Sequence, residues 1–225
     1  MTRIDEARSL TVRIPAGREA FEGDLALPAD PAGMVIFAHG SGSSRFSRRN
    51  RKVAEALQAA GFATLLLDLL TPEEEAVDQG TRQFRFDIPR LGRRVVQATD
   101  WCRDQDETER LPVGYFGAST GAAAALVAAA ERSDVAAVVS RGGRPDLADE
   151  SLPAVQAPTL LIVGGRDTPV IGMNREAMAR MSAEVDLRLV SGATHLFEEA
   201  GALAEVTGLA MAWFQRHLSP DAGER

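Results

Sequence analysis

Between Val113 and Ala125 the chain reads Val113-Gly114-Tyr115-Phe116-Gly117-Ala118-Ser119-Thr120-Gly121-Ala122-Ala123-Ala124-Ala125. An apolar run with the length of a buried strand passes through small residues and enters an alanine-rich run of helical character. Gly117 and Gly121 lie two residues before and two after Ser119, a G-x-S-x-G pattern at a strand-to-helix junction. The spacing has a steric reason. A chain that reverses this sharply brings strand and helix backbones almost into contact, so the flanking positions tolerate little beyond hydrogen, and the residue at the apex is held in a strained conformation with its side chain exposed. A nucleophilic serine is the chemical use of such a turn. The competing readings are a turn that serves packing alone and an anion site at the helix N-terminus.

Working outward, short apolar runs recur at Met34–Ala38, Ala63–Leu67, Val135–Val139, Thr159–Val163 and Leu187–Val190, each bounded by Gly, Pro or Asp. Strands apolar on both faces belong to a parallel sheet covered by helices. Segments of helical period alternate with them at Arg49–Ala60, Ile88–Arg103, Gly121–Arg132, Asn174–Met181 and Ala202–Leu218. Leu10–Ile14 and Phe21–Leu27 alternate apolar and polar residues around Pro15-Ala16-Gly17, the pattern of an antiparallel hairpin with one wet face. The expected architecture is a mostly parallel, doubly wound α/β sheet with an N-terminal antiparallel hairpin, built as one domain over residues 1–225. Thr71–Phe86, acidic and then basic with Gly80 inside, reads as a long loop.

Composition removes whole classes of function. With 45% hydrophobic and 25% charged residues the chain is globular, which excludes a disordered or fibrous protein. A formal net charge of -7 argues against nucleic acid and anionic membranes as partners, because both select a basic surface. Cys102 is the only cysteine, so no internal disulfide and no thiolate-rich metal site can form, and the chemistry calls for no metal or organic cofactor. Met1–Leu10 carries Asp5 and Glu6 and lacks the apolar core of an export signal, and the apolar run Ala122–Ala130 is too short to cross a bilayer. The expectation is a cytoplasmic protein acting on a small molecule.

In a doubly wound sheet, ligands bind where loops leave the carboxyl ends of the strands. A serine hydroxyl there needs an imidazole to take its proton. His195, in Ser191-Gly192-Ala193-Thr194-His195, follows the last predicted strand and fits the role of general base. His39 follows the first buried strand and is expected to shape its loop, and His217 is expected to be a helix-end residue beside Trp213. Asp167, in Gly164-Gly165-Arg166-Asp167, leaves the preceding strand on the same edge and can orient the imidazole, the alternative being a capping aspartate. Negative charge developing on an attacked carbonyl calls for preformed N–H donors. The Thr120 amide is one candidate, and the Ser41 amide, with Gly42 as fallback, is the second. The loop Gly40-Ser41-Gly42-Ser43-Ser44-Arg45 breaks the G-x-G-x-x-G dinucleotide pattern at its last position.

These residues together resemble the α/β-hydrolase superfamily and, more narrowly, its dienelactone hydrolase-like branch. The likeness runs from about Phe21 to Leu218 and is carried by His39-Gly40-Ser41-Gly42-Ser43-Ser44-Arg45, the serine turn, Gly165-Arg166-Asp167 and Gly192-Ala193-Thr194-His195. The chain order Ser119, Asp167, His195 is that of α/β-hydrolases. The resemblance implies an esterase without a cap domain, since only Ser140–Ala157 separates two predicted strands where larger relatives insert a lid. It departs from dienelactone hydrolases in one respect: they use a cysteine nucleophile, and here Ser119 holds that position.

The expected activity is cleavage of small carboxylic esters through an acyl-enzyme. Acyl transfer to another acceptor and non-catalytic ligand binding on the same scaffold are the alternatives. Gly42, Arg45 and Arg141 are candidate substrate contacts, and Arg45, Arg141 and Arg144 lie in loops where a guanidinium can grip a carboxylate or phosphate. Solvated surface charge is the commoner explanation for such arginines. Asp68 is assigned no role.

Overall fold

A computed structural model describes residues 8–218. The stretch read for an export signal therefore lies outside the described residues except for Arg8–Leu10. Eight strands form one sheet: β1 (Arg8–Ala16), β2 (Glu19–Leu27), β3 (Met34–Ala38), β4 (Ala63–Leu67), β5 (Val113–Ala118), β6 (Val135–Arg141), β7 (Thr159–Gly164) and β8 (Val185–Val190). Their order across the sheet is β1-β2-β4-β3-β5-β6-β7-β8. The first two form the expected hairpin and join β4 antiparallel, and every later pairing is parallel. This is the α/β-hydrolase arrangement.

The helices are α1 (Arg48–Ala59), α2 (Pro72–Thr81), α3 (Ile88–Arg103), α4 (Thr120–Glu131), α5 (Thr168–Met178) and α6 (Ala202–His217). Side chains of the central strands alternate between two apolar layers. Met34, Ile36 and Tyr115 enter one with Leu91 and Val95 of α3 and the alanines of α4. Val35, Phe37 and Phe116 enter the other with Val53 and Leu57 of α1 and Val206 and Phe214 of α6. Burial on both faces is why these strands read as unbroken apolar runs.

The alanine run of α4 is explained by proximity. A Cβ placed on Gly92 of α3 would stand 2.7 Å from Val127 Cγ1 of α4, so the two helices cross closely enough to need glycine and small residues there. At the strand-to-helix turn the approach is tighter. A Cβ on Gly117 would meet Ala122 Cα at 2.4 Å, and one on Gly121 would meet the Ala38 and His39 carbonyl oxygens at 2.3 and 2.4 Å.

Two local expectations are corrected. Residues 71–86 are not a continuous loop, because they contain α2. Thr71 caps that helix reciprocally with Glu74, Pro72 starts it, and Arg82 ends it in a left-handed conformation with φ 58°. Helix α5 starts at Thr168 instead of Asn174, nucleated by Pro169 in its first turn. Between β6 and β7 the chain forms a 3-10 segment, Pro145–Ala154, kinked at Asp149.

Gly121→Ala is expected to cost at least about 3 kcal/mol or to prevent folding, since only backbone atoms obstruct the new methyl and they cannot yield. Gly172→Ala, in α5 with nothing within 4 Å of the added carbon, is expected to be neutral or to stabilise by up to about 1 kcal/mol. Urea unfolding of the two variants checks both.

Candidate active site

Ser119 sits at the apex of the turn between β5 and α4 with φ 52° and ψ -120°, a region that a residue with a side chain enters at a cost of about 1–3 kcal/mol. Three backbone hydrogen bonds hold it there. Its N–H donates to the Arg141 carbonyl at 3.2 Å, and its own carbonyl accepts from the amides of Ala122 and Arg144, both at 3.1 Å. The serine is thus clamped by the helix it starts and by the loop after β6.

His195 and Ser119 line one cavity of about 240 Å³, together with Gly40, Ser41 and Leu196. His195 Nδ1 donates to Asp167 Oδ2 at 2.7 Å. Asp167 occupies the N-cap of α5, yet its side chain makes no cap hydrogen bond. The carboxylate has forgone the local helix for a histidine 28 residues away. The loops carrying the pair are stitched together: Gly165 N–H donates to Val190 O and Arg166 N–H to Ala193 O, at 2.8 and 2.9 Å. Gly164 makes this possible, since a Cβ there would lie 2.5 Å from Thr194 O.

The loop after β3 comes equally close to the serine, with a Cβ on Gly40 reaching 3.1 Å from Ser119 Cβ. His39 braces this loop. Its Nε2 accepts from the Leu69 amide at 3.1 Å, which leaves Nδ1 to donate to the Gly40 carbonyl at 2.8 Å. Loss of hydration holds His39 below the ordinary imidazole range, against opposing pulls from the Gly40 carbonyl, Asp68 and Glu75.

A scan against family models matches residues 21–216 to the dienelactone hydrolase family. The chain belongs to that family. Among solved structures, a dienelactone hydrolase from Anabaena variabilis is 56% identical and superposes with a TM-score of 0.92, covering 95% of this chain and 99% of the other. The esterase Est1E from Butyrivibrio proteoclasticus shares the fold at 16% identity, with a TM-score of 0.75 over 91% of this chain and 97% of its own. A curated protein of Mycobacterium tuberculosis named as a putative phosphoribosyl transferase is 58% identical over 212 residues, which is 94% of this chain and 47% of that protein. This chain therefore spans about half the length of that relative.

Within this dienelactone hydrolase scaffold the remaining candidates separate. The Ser41 amide, expected to face a substrate oxygen, donates to the Thr120 hydroxyl at 2.8 Å. Thr120 N–H, the first amide of α4, has no acceptor inside its helix. Gly42 lines a neighbouring smaller cavity with Asp78 and Arg85 and not the one shared by Ser119 and His195. Arg45 is no substrate grip: its guanidinium is taken up by Glu22, Asp24 and Asp68, and Asp68 also accepts the Arg45 amide at 2.8 Å. Asp68 thus has a structural role that its sequence position did not reveal. Arg144 is occupied likewise, paired with Asp146 at 2.7 Å.

Arg141 differs. It is 7% exposed and lines the cavity of Ser119, the one hydrogen bond of its guanidinium among the described residues runs from Nη2 to Asn50 Oδ1 at 3.2 Å, and its Nε is buried without an acceptor. Leaving such a charged donor unsatisfied costs about 1–3 kcal/mol or more. Burial, with the nearby Arg49 charge, pulls its pKa down to about 10, so the group remains cationic at neutral pH. Arg49 and Asn50 lie at the start of α1, in the run Arg45–Lys52, which as sequence reads either as an anion-binding segment or, more commonly, as an exposed helix start. Cys102 is buried in α3, where loss of hydration pushes its thiol up to about 12, out of the nucleophilic range.

Two half-buried histidines give stability a pH dependence. His39 and His217, the latter packed on Trp213 with ring centroids 4.5 Å apart, are both depressed by burial. Each takes up a proton less readily in the folded chain than in the unfolded one, where protonation centres near 6.5, so their contribution to stability is fully present above that value and falls as pH drops below it. Urea midpoints are expected to decrease from pH 7.5 to 5.5, with a shallower slope in His217→Gln.

Proposed function

We propose that this protein hydrolyses small carboxylic esters through a serine acyl-enzyme. The observation that carries the reading is the Asp167 carboxylate, which leaves its own helix uncapped to hold His195 by Nδ1 at the mouth of the Ser119 cavity. Fixing the proton on Nδ1 leaves Nε2 as the basic nitrogen, the tautomer that general-base catalysis on a serine requires. In the proposed cycle Ser119 Oγ attacks the ester carbonyl, and His195 takes its proton and returns it to the departing alcohol. Water then frees the acyl group by the same route, with Asp167 stabilising the transient imidazolium.

The oxyanion of each tetrahedral intermediate is received by the amides of Thr120 and Ser41. The Ser41 amide donates to the Thr120 hydroxyl at 2.8 Å, so in this reading it receives the oxyanion only when that hydroxyl turns away. The cavity of about 240 Å³ suits short acyl groups. The transferase name of the Mycobacterium tuberculosis relative describes a protein twice as long, and no observation at this site favours phosphoribosyl transfer.

Ser119→Ala is expected to reduce turnover of p-nitrophenyl acetate by about 10⁴- to 10⁶-fold, and Asp167→Asn by about 10⁴-fold through loss of the correct histidine tautomer. A fluorophosphonate probe should label Ser119 in the wild type alone. If that serine goes unlabelled in folded protein, the proposal is wrong. Product analysis with added alcohols separates hydrolysis from acyl transfer.

A further inference from the structure

The sheet ends in β8, and no strand among the described residues covers its outer side. Which of its backbone groups face outward follows from the ladder with β7. Thr159 N–H donates to Glu184 O and Gly165 N–H to Val190 O, both at 2.8 Å, and in a parallel ladder alternate residues bond to the same neighbour. The even-numbered residues of β8 therefore face β7, and Val185, Leu187 and Leu189 turn their N–H and C=O groups outward. Their side chains share one face of the sheet, where Leu187 packs against Val163, Val170 and Ile171, and Leu189 is 42% exposed. On the other face Asp186 and Arg188 are partly exposed and pair with each other at 2.7 Å. Free amides beside an apolar face invite a further strand unless something blocks it. At the opposite end of the sheet β1 contains Pro15, which lacks the N–H that a ladder needs. β8 contains no proline and runs beside β7 in unbroken register.

The segment Val185-Asp186-Leu187-Arg188-Leu189 is complementary to itself when reversed. Two copies meeting antiparallel about a two-fold axis at Leu187 set Leu187 opposite the partner's Leu187, Asp186 opposite the partner's Arg188, and Val185 opposite the partner's Leu189. The outward N–H and C=O groups of Val185, Leu187 and Leu189 then fall in hydrogen-bonded pairs. Asp186 and Arg188 fall in the alternate pairs, where the Cα atoms approach to about 4.5 Å and facing side chains stand closest. One face of the junction becomes continuously apolar, and the other carries two pairs of opposite charge. Charge also rejects the neighbouring registers that keep the outward groups paired. An axis at Asp186 sets Asp186 against the partner's Asp186, and an axis at Arg188 sets Arg188 against the partner's Arg188. We infer that β8 is the contact between two copies of this chain, joined antiparallel about Leu187 into one continuous sheet. Because the paired strands run in opposite directions, the two Ser119 cavities open at opposite ends of the joined sheet. The contact uses neither Ser119, Asp167 nor His195, so it stands independently of the hydrolase reading.

Sedimentation velocity of the full chain over a range of protein concentrations tests the contact. An edge of 6 residues makes a small interface, so the wild type is expected to dimerise with a Kd of about 1–100 µM. Asp186→Arg and Arg188→Asp each set like charges against each other on both sides of the axis, and each is expected to weaken the dimer by about 30-fold or more. Combining the two substitutions in one chain restores opposite charges in both pairs. An equimolar mixture of the two single variants does the same between unlike copies. The double variant and the mixture are each expected to dimerise within about threefold of the wild type. Recovery in the mixture separates loss of the contact from loss of the fold, since the same single variants are used. A wild type that stays monomeric to about 500 µM overturns the contact. Single variants that dimerise as the wild type does place any dimer elsewhere and overturn it equally, and a mixture that stays monomeric overturns the register about Leu187.

Discussion

Everything at the site depends on how closely α4 approaches the sheet beneath it. With hydrogen as the side chain at positions 117 and 121, the helix starts against the carbonyls of Ala38 and His39, and the chain at Ser119 is bent into φ 52° and ψ -120°. The strain is small against the hydrogen bonds and packing that enforce it. Its consequence is geometric: Ser119 projects into the space where the loops after β3, β6 and β8 converge. The alanines behind it serve the same end, since larger side chains would lift the helix and relax the turn.

A second organising feature is the distribution of charge. The chain uses arginine for almost all its cations, and most find carboxylates on neighbouring elements. Arg45 ties the loop after β3 to β2 and to Asp68 after β4, which fixes the loop bearing Ser41. His39 adds a neutral brace from the same loop to Leu69. Arg141, which meets no carboxylate among the described residues, and Arg49, which meets Glu198 at 3.3 Å, leave positive charge beside Ser119.

The sheet, the hairpin and the site edge were legible in the sequence, because burial on both faces writes unbroken apolar runs and a tight turn writes its glycines. The Thr71–Phe86 segment was misread even though Thr71-Pro72-Glu73-Glu74 carries a capping box with Pro at the first helical position. There the local signal was present, and the mixed charge of the segment masked it. The start of α5 at Thr168 carries a local signal too, Pro169 in its first turn after Asp167 at the N-cap, although the Asp167 carboxylate serves His195 and not the helix.

Sequence alone determined the α/β architecture, the serine turn, and the order in which serine, acid and histidine arrive along one edge, since each depends on short-range periodicity or local sterics. Only the tertiary structure decided which arginines are free. Arg45, Arg141 and Arg144 are indistinguishable as loop arginines in a linear chain. Arg45 is neutralised by acids from distant strands and loops and Arg144 by Asp146 two residues on, while Arg141 meets no carboxylate among the described residues. The same holds for the Ser41 amide, whose partner Thr120 lies 79 residues away. Pairing across the fold is set by strand order and loop contact, and no local pattern encodes it.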